Sequence, residues 1–317
     1  MEIKLNVTRY APEGDRVQHE QAYTLDMGEN ATVLDALIEV RERHDETLAL
    51  RCSCRSSICG SCAMRINGQA RLACNTKAAD MASGSDNGII DVEPLGNMPV
   101  LKDLIPDFEV HWSKLRAVQP WLKPEGPEPV REYLADNDAM LNLITPVGCI
   151  QCGACVSDCT SLEVNKAFLG PAALAAAYRF AADPRDGHQK ERLEQYSQPG
   201  GIWDCTHCFM CVEVCPKEVA PMDRILELRQ MATEAGFTNN NGSRHSKAVE
   251  ELVKESGWLD EGMLALESYG SLMEKATLIP VGMRSLLRGK MPPTGPFHHA
   301  RPGVEHVRRI IEELESH

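Results

Sequence analysis

A chain of 317 residues, 43% hydrophobic and 25% charged, has the composition of a globular protein with room for two or three domains. It contains no run of eighteen apolar residues that would suggest a spanning helix, and its net charge of −13 argues against a nucleic-acid partner, because phosphate binding rests on an excess of Lys and Arg. The N-terminal Met1-Glu2-Ile3-Lys4 starts a strand pattern rather than a signal peptide, and with thirteen cysteines in the chain this predicts a reducing compartment.

Ile3, Leu5 and Val7 alternate with polar neighbours, and a second extended stretch covers about 17–25. With the turn-rich Pro12-Glu13-Gly14-Asp15 between them, these strands predict a hairpin. Thr32 has the chemistry of a helix N-cap ahead of Val33, Leu34, Leu37 and Ile38, which share one helical face to about residue 43. Cys54, Cys59 and Cys62 follow with the spacing C-x4-C-x2-C, and Cys74 lies beyond them. That is the spacing of a plant-type 2Fe-2S loop, in which Gly60 lets the backbone approach sulfide. Strands over 63–66 and 69–73, joined at Asn67-Gly68, predict that the chain leaves the cluster and returns with Cys74 as fourth ligand. Cys52 falls outside the spacing and reads as a nonligating thiol. A strand over 89–92 closes this domain before Pro94.

Pro120, Pro124, Pro127 and Pro129 mark a stiff connector. Beyond it stand two matching runs, Cys149, Cys152, Cys155, Cys159 and Cys205, Cys208, Cys211, Cys215, each spaced C-x2-C-x2-C-x3-C. In two-cluster ferredoxins the fourth cysteine of such a run ligates the cluster built by the other run. Structural zinc is the alternative, but it favours separated Cys or Cys/His pairs, and a disulfide framework fits such short repeats less well still. The Ala-rich 171–182 segment between the runs predicts a helix whose small residues permit close packing. Pro216 can redirect the chain directly after the last cysteine. After Asn239-Asn240-Asn241-Gly242-Ser243, which marks a loop, Val249, Leu252, Val253, Leu259, Met263, Leu264, Leu266, Leu272 and Met273 suggest amphipathic helices. Arg284, Arg288 and Lys290 flank Leu286 and Leu287, a short basic piece suited to a partner, an anionic membrane surface or simple packing on its own protein.

This order of cysteine motifs, with Phe168-Leu169-Gly170-Pro171-Ala172-Ala173 and Tyr178-Arg179-Phe180 between the two later runs, closely resembles the iron-sulfur subunit of succinate dehydrogenase and fumarate reductase over about residues 1–235. Pro99-Val100-Leu101-Lys102-Asp103-Leu104-Ile105-Pro106-Asp107, Gln119-Pro120-Trp121-Leu122 and Cys215-Pro216-Lys217 extend the likeness. The resemblance implies an α+β chain. A beta-grasp 2Fe-2S ferredoxin domain (1–102) precedes an all-helical two-cluster ferredoxin domain (103–236), and 237–317 is a helical extension. It implies electron transfer between the FAD of a flavoprotein partner and quinone, in a complex docked through membrane anchor subunits on the cytoplasmic face of the cell membrane.

With the cross-over rule, the resemblance assigns Cys149, Cys152, Cys155 and Cys215 to a 4Fe-4S cluster, and Cys159, Cys205 and Cys211 to a second cubane. Most relatives lack a cysteine at position 208 and hold a 3Fe-4S cluster there. Here Cys208 allows 4Fe-4S, the alternative being an idle buried thiol with 3Fe-4S retained. Ubiquinone-reducing relatives carry Pro, Trp and His where this chain has Thr160, Val164 and Thr206, so their quinone pocket is altered. Nearby Trp203 reads as a packed indole and His207 as a surface imidazole.

No G-x-G-x-x-G fingerprint between a strand and a helix is present, so the dicarboxylate site is expected on a partner. Two other classes stay open. One is the iron-sulfur subunit of a thiol-linked fumarate reductase or other flavoprotein of heterodisulfide-reductase type, whose tail Pro280-Val281-Gly282-Met283 through Gly289-Lys290 resembles. The other is a noncatalytic, metal-stabilised scaffold.

Overall fold

Alternation of buried and exposed residues along Glu2–Arg9 (β1) builds the first sheet, because Ile3, Leu5 and Val7 all point to one face. β1 pairs antiparallel with His19–Asp26 (β2) and parallel with Ile89–Glu93 (β5), while Ala63–Ile66 (β3) pairs antiparallel with β5 and with Gln69–Leu72 (β4). The sheet order is β2-β1-β5-β3-β4. Leu5 stands opposite Ile90, and Val7 and Ile66 both stand opposite Val92, so the core side chains meet across three strands. The computed structural model describes residues 1–14, 16–290 and 300–315. Pro12, Glu13 and Gly14 form the expected turn, and Asp15 lies outside the described residues.

The helix Val33–Glu39 (α1) starts at Thr32, whose hydroxyl accepts from Asp35 N–H while the Asp35 carboxylate accepts from Thr32 N–H. It continues into a π-helical turn at Val40–His44. Val33, Leu34, Ala36 and Leu37 are buried, and such burial contributes roughly 1.5–3 kcal/mol for each large apolar side chain. Asn67 and Gly68 both take positive φ, the tight turn expected between β3 and β4. A short 3-10 turn, Ala73–Asn75, carries Cys74, and Ala78–Ser83 (α2) leads back to β5.

The small hairpin Val100–Lys102 (β6) and Ile105–Pro106 (β7) begins the connector. Buried Asp103 at its tip accepts from Arg9 Nε (3.0 Å), Tyr10 N (3.0 Å) and Ala49 N (2.8 Å), so the connector is tied to the end of β1. Glu109–Ala117 (α3) then runs into the irregular proline segment. Buried Arg192 holds that segment, donating to the carbonyls of Gln119 (2.9 Å) and Trp121 (2.6 Å) and pairing with buried Asp186 (2.8 Å).

The cysteine runs lie among Asn137–Val147 (α4), Ala154–Ser157 (α5), Thr160–Val164 (α6), Pro171–Ala181 (α7), Gln189–Tyr196 (α8) and Met210–Glu213 (α9). α7 is the hub, packing on α3, α4, α5 and α8 through buried Ala172, Ala173, Ala175, Ala177 and Ala181. The last cysteine, Cys215, stands in the turn between α9 and Pro221–Glu234 (α10).

The chain forms two compact units, Met1–Leu228 and Arg229–His317. In the second, Asn240 caps Asn241–Ser256 (α11) by accepting from Ser243 N–H. Asn241, Gly242 and Ser243 therefore form a first helical turn where a loop was expected, because Asn240 supplies the cap. α11 packs against Glu261–Ser268 (α12) and Val304–Glu315 (α15). Leu272–Thr277 (α13), opened by a Ser271/Glu274 capping box, leads to Ile279–Leu287 (α14). Residues 291–299, 316 and 317 of the expected extension lie outside the described residues.

Removing one partner of the Arg192–Asp186 pair leaves a buried charge unmatched, so Asp186→Asn should cost about 3–5 kcal/mol in denaturant unfolding. Burial would raise the Asp186 pKa, but hydrogen bonds from Arg192 and from the backbone N–H groups of Lys123 and His188 hold it below the usual value. The pair's contribution is thus present above the unfolded carboxylate value of about 3.9 and is lost as pH falls through the depressed folded value. Unfolding measured from pH 7 down to pH 3 should show the deficit of Asp186→Asn shrinking at the acid end.

Candidate functional site

The 2Fe-2S-type loop turns its backbone inward. Arg55, Ser57 and Gly60 have positive φ, and such alternation points successive N–H groups into one concavity. Cys54 Sγ accepts from the N–H groups of Ser56 (3.4 Å), Ile58 (3.4 Å) and Cys59 (3.2 Å), and Cys74 Sγ accepts from Ser57 N–H (3.4 Å). The Ser61 hydroxyl, 2.9 Å from Cys59 Sγ, is the main cause that lowers the exposed Cys59 thiol to about 6. Burial pushes Cys62 up to about 12, with the neighbouring Cys74 and Cys59 acting in the same direction. Cys52 takes part in none of these contacts.

The two later runs interleave. Burial pushes the Cys155 thiol well up, and the nearby Cys152, Cys149, Cys211 and Cys215 add to it. Cys152 rises to about 11 through burial, with Cys149 and Cys215 beside it. Cys149, Cys152, Cys155 and Cys215 line one hollow, walled by Ala172, Ala175, Val219 and Pro221. Val219 N–H donates to Cys215 Sγ (3.3 Å). The other group gathers around Cys211, which burial lifts to about 12 with Cys205, Cys159 and Cys208 adding their repulsion. Cys208 is exposed. What burial it has would raise its pKa, but the Thr160 hydroxyl and the backbone N–H groups of Met210 and Thr160 outweigh that and lower it. Thr160, where ubiquinone-reducing relatives were expected to carry Pro, is thus a hydrogen-bond partner of Cys208. His207 is exposed, as expected of a surface imidazole, and Trp203 is half-buried.

Among the described residues no three His, Cys, Asp or Glu side chains converge tightly enough to hold a single metal ion. The thiols surround wider spaces, and their sulfurs meet N–H donors and apolar walls. That donor chemistry fits iron-sulfur clusters.

Contacts that sequence reasoning missed lock the three cysteine groups together. A Cβ on Gly60, at φ +71°, would lie 2.8 Å from Cys152 Cβ, so the first loop rests directly on the second. Gly60 is needed for this close approach between loops, in addition to any approach to sulfide. Asn97 Nδ2 donates to the carbonyls of Val156, Ser157 and Cys159, each at 3.0 Å, and thereby closes the end of α5. The Asp158 carboxylate accepts from Ala70 N–H in β4 (2.8 Å), and Ser157 Oγ accepts from Gly96 N–H (2.9 Å). Each of these pairs is separated by more than fifty residues, so no local pattern announces them.

Comparison with known proteins agrees with this arrangement. The 2Fe-2S iron-sulfur cluster binding domain family matches residues 4–113, and the 4Fe-4S dicluster domain family matches 147–219. The chain is 34% identical to the 8-methylmenaquinol:fumarate reductase iron-sulfur subunit of Wolinella succinogenes, over 94% of this chain and 95% of that one. It is 35% identical to the succinate dehydrogenase iron-sulfur subunit of Paracoccus denitrificans, over 73% of this chain and 88% of the relative. A chain of the Mycobacterium smegmatis Sdh1 complex in the apo form superposes with a TM-score of 0.67 at 25% identity, covering 74% of this chain and 97% of that one. A beta-grasp domain with a 2Fe-2S-type loop, a helical dicluster region and relatives matched over most of their length place the chain in the family of succinate dehydrogenase and fumarate reductase iron-sulfur subunits.

Proposed function

We propose that this chain carries electrons between the flavin of a partner subunit and quinone through three clusters. Cys54, Cys59, Cys62 and Cys74 hold the 2Fe-2S cluster. Cys149, Cys152, Cys155 and Cys215 hold a 4Fe-4S cluster, and Cys159, Cys205, Cys208 and Cys211 hold a second one. Residues 1–102, 103–236 and 237–317 serve as the first cluster domain, the two-cluster domain and the docking extension. When bound, each cluster accepts and passes on one electron at a time. The protein's own residues supply thiolates, aim N–H groups at sulfur, exclude water and fix spacing. The observation that carries this reading is the continuous sequence of contacts: Gly60 in the first loop touches Cys152 in the second group, and Cys155 of that group neighbours Cys211 of the third.

Dicarboxylate chemistry belongs to the flavoprotein partner on this reading. The relative that spans almost the whole chain is named for 8-methylmenaquinol and fumarate, which favours a menaquinol-type partner molecule and operation in the fumarate-reducing direction. The same match extends into the C-terminal unit, where α13 and α14 expose Leu272, Met273, Ile279, Val281, Met283 and Leu287 beside Arg284 and Arg288. Among the described residues no helix is long and apolar enough to cross a membrane. On this reading the exposed apolar and basic face of α13 and α14 docks the chain on a membrane anchor subunit, at the cytoplasmic face.

Cys59→Ser in the intact complex should abolish the normal 2Fe-2S electron paramagnetic resonance signal and quinone-linked turnover, while substrate still reduces the partner's flavin. Cys52→Ser should leave that signal unchanged, and loss of the signal would make Cys52 a ligand or a needed packing group. Gly60→Ala forces the two loops apart, so electron delivery from the first cluster to the second should slow at least several-fold in rapid-freeze experiments with both clusters retained. Equal rates would remove the proposed path.

Cys208→Ser should create a 3Fe-4S signal in air-oxidised protein that is nearly absent from the wild type. A full 3Fe-4S signal in undamaged wild type, unchanged by the substitution, would return the third group to three ligands. Truncation after residue 240 should free the complex from membranes with its cluster spectra preserved, and membrane-bound quinone activity that survives the truncation would end the docking role of the extension.

A further inference from the structure

Gln151 lies between two cysteines of the second group and has a positive φ of 54°, a conformation that costs a non-glycine residue free energy. Its side chain folds back toward the loop. Nε2 lies 3.3 Å from Cys149 Sγ, and Oε1 lies 3.0 Å from Nε2 of His111 in α3. His111 is only 2% exposed and is held edge-on to Phe108 (centroids 5.6 Å apart) and Trp112 (4.8 Å). Phe108 in turn packs on Gly153, where a Cβ would lie 3.1 Å from its ring. Neither His111 nor Gln151 belongs to the cysteine pattern.

The chemistry at the two ends settles which way the amide points. A thiolate can only accept, so the NH2 end must face Cys149 and the carbonyl end must face His111. The imidazole then has to donate from Nε2, which a neutral ring does when its single proton sits there. Burial lowers the His111 pKa and so favours that neutral form. If His111 could not donate, the amide carbonyl would lose its anchor and the thiolate alone would hold the Gln151 side chain in this orientation.

We propose that His111 is a positioning residue that fixes the Gln151 amide as an N–H donor to Cys149 Sγ, and that this bond raises the reduction potential of the 4Fe-4S cluster. The proposal rests on the reading that Cys149 is a ligand of that cluster. Reduction adds a negative charge shared with the thiolate sulfurs, and a donor aimed at sulfur stabilises the more negative state more strongly. Residues beyond the ligands commonly tune a metal site in this way.

Redox titration of the intact complex, monitored by electron paramagnetic resonance, tests the proposal. Gln151→Met should keep wild-type iron and sulfide but weaken reduction of the 4Fe-4S cluster by up to about tenfold, a shift of about 59 mV to more negative potential for one electron. The 2Fe-2S potential should not move. His111→Leu should shift the 4Fe-4S cluster in the same direction, and His111→Gln, which keeps an N–H donor, should restore most of the change. An unchanged 4Fe-4S potential in Gln151→Met overturns the hydrogen bond's role, and an unchanged potential in His111→Leu overturns the positioning role.

Cys149→Ser separates this from the ligand reading. An intact, unshifted 4Fe-4S signal in that variant would mean that Cys149 is not a ligand, whereas its loss or alteration alongside an unmoved Gln151→Met potential would sink the tuning proposal alone. Should Gln151→Met fail to assemble the cluster, pulsed resonance on reduced wild type labelled with 15N at glutamine side chains decides. Coupling to a side-chain nitrogen supports the bond, and its absence refutes it.

Discussion

The crossing of the two later cysteine runs is the constraint on which the rest of the fold depends. Cys215 joins the group begun by Cys149, and Cys159 joins the group completed by Cys211, so neither group closes until the chain between residues 159 and 205 has gone out and returned. That excursion is α6 to α8. Its central helix, α7, is built largely of alanine because it must pack against four neighbours at once. The thiols gathered at the crossing repel one another as thiolates, and burial raises Cys155, Cys211 and Cys152 well above an ordinary thiol. Cationic iron relieves that repulsion, so cluster binding and folding of this region are coupled.

A second level of organisation holds the beta-grasp sheet against the crossing. Asn97, Gly96 and Ala70 all bond to residues 156–159, and Gly60 leaves no room for a side chain above Cys152. Electron transfer falls off steeply with distance, so a relay needs its centres held at fixed, short separations. Packed backbone and fully paired polar groups provide that rigidity better than a mobile linker would. The Arg192 and Asp103 networks secure the connector in a similar way: buried Arg192 satisfies the carbonyls of Gln119 and Trp121 in the proline segment, and buried Asp103 at the connector's hairpin tip accepts from the backbone N–H groups of Tyr10 and Ala49.

Much of this was legible in the sequence where the physics is local. The cysteine spacings, Asn67-Gly68, the Thr32 cap and the alanine run each state a geometry within a few residues. What stayed hidden depends on pairs far apart in the chain. Nothing near Gly60 announces Cys152, nothing near His111 announces Gln151, and the parallel pairing of β1 with β5 joins residues 85 positions apart. A buried histidine in a short helix and a glutamine between two cysteines were the available signals, but each is ambiguous without its partner. The Asn239-to-Ser243 stretch misled for the opposite reason. Its polar residues suit a loop, and they suit the capped first turn of α11 equally well.

The central claim is that one chain holds three iron-sulfur centres, with two irons in the first and four in each of the others. Mössbauer spectroscopy of the complex purified anaerobically from cells grown on 57Fe tests it most directly, since it counts irons by cluster type without relying on activity. The account predicts that about a fifth of the iron sits in a binuclear cluster and the remainder in two cubanes of equal iron content. A spectrum with a single cubane, or a chain whose metal proves to be zinc, would contradict it.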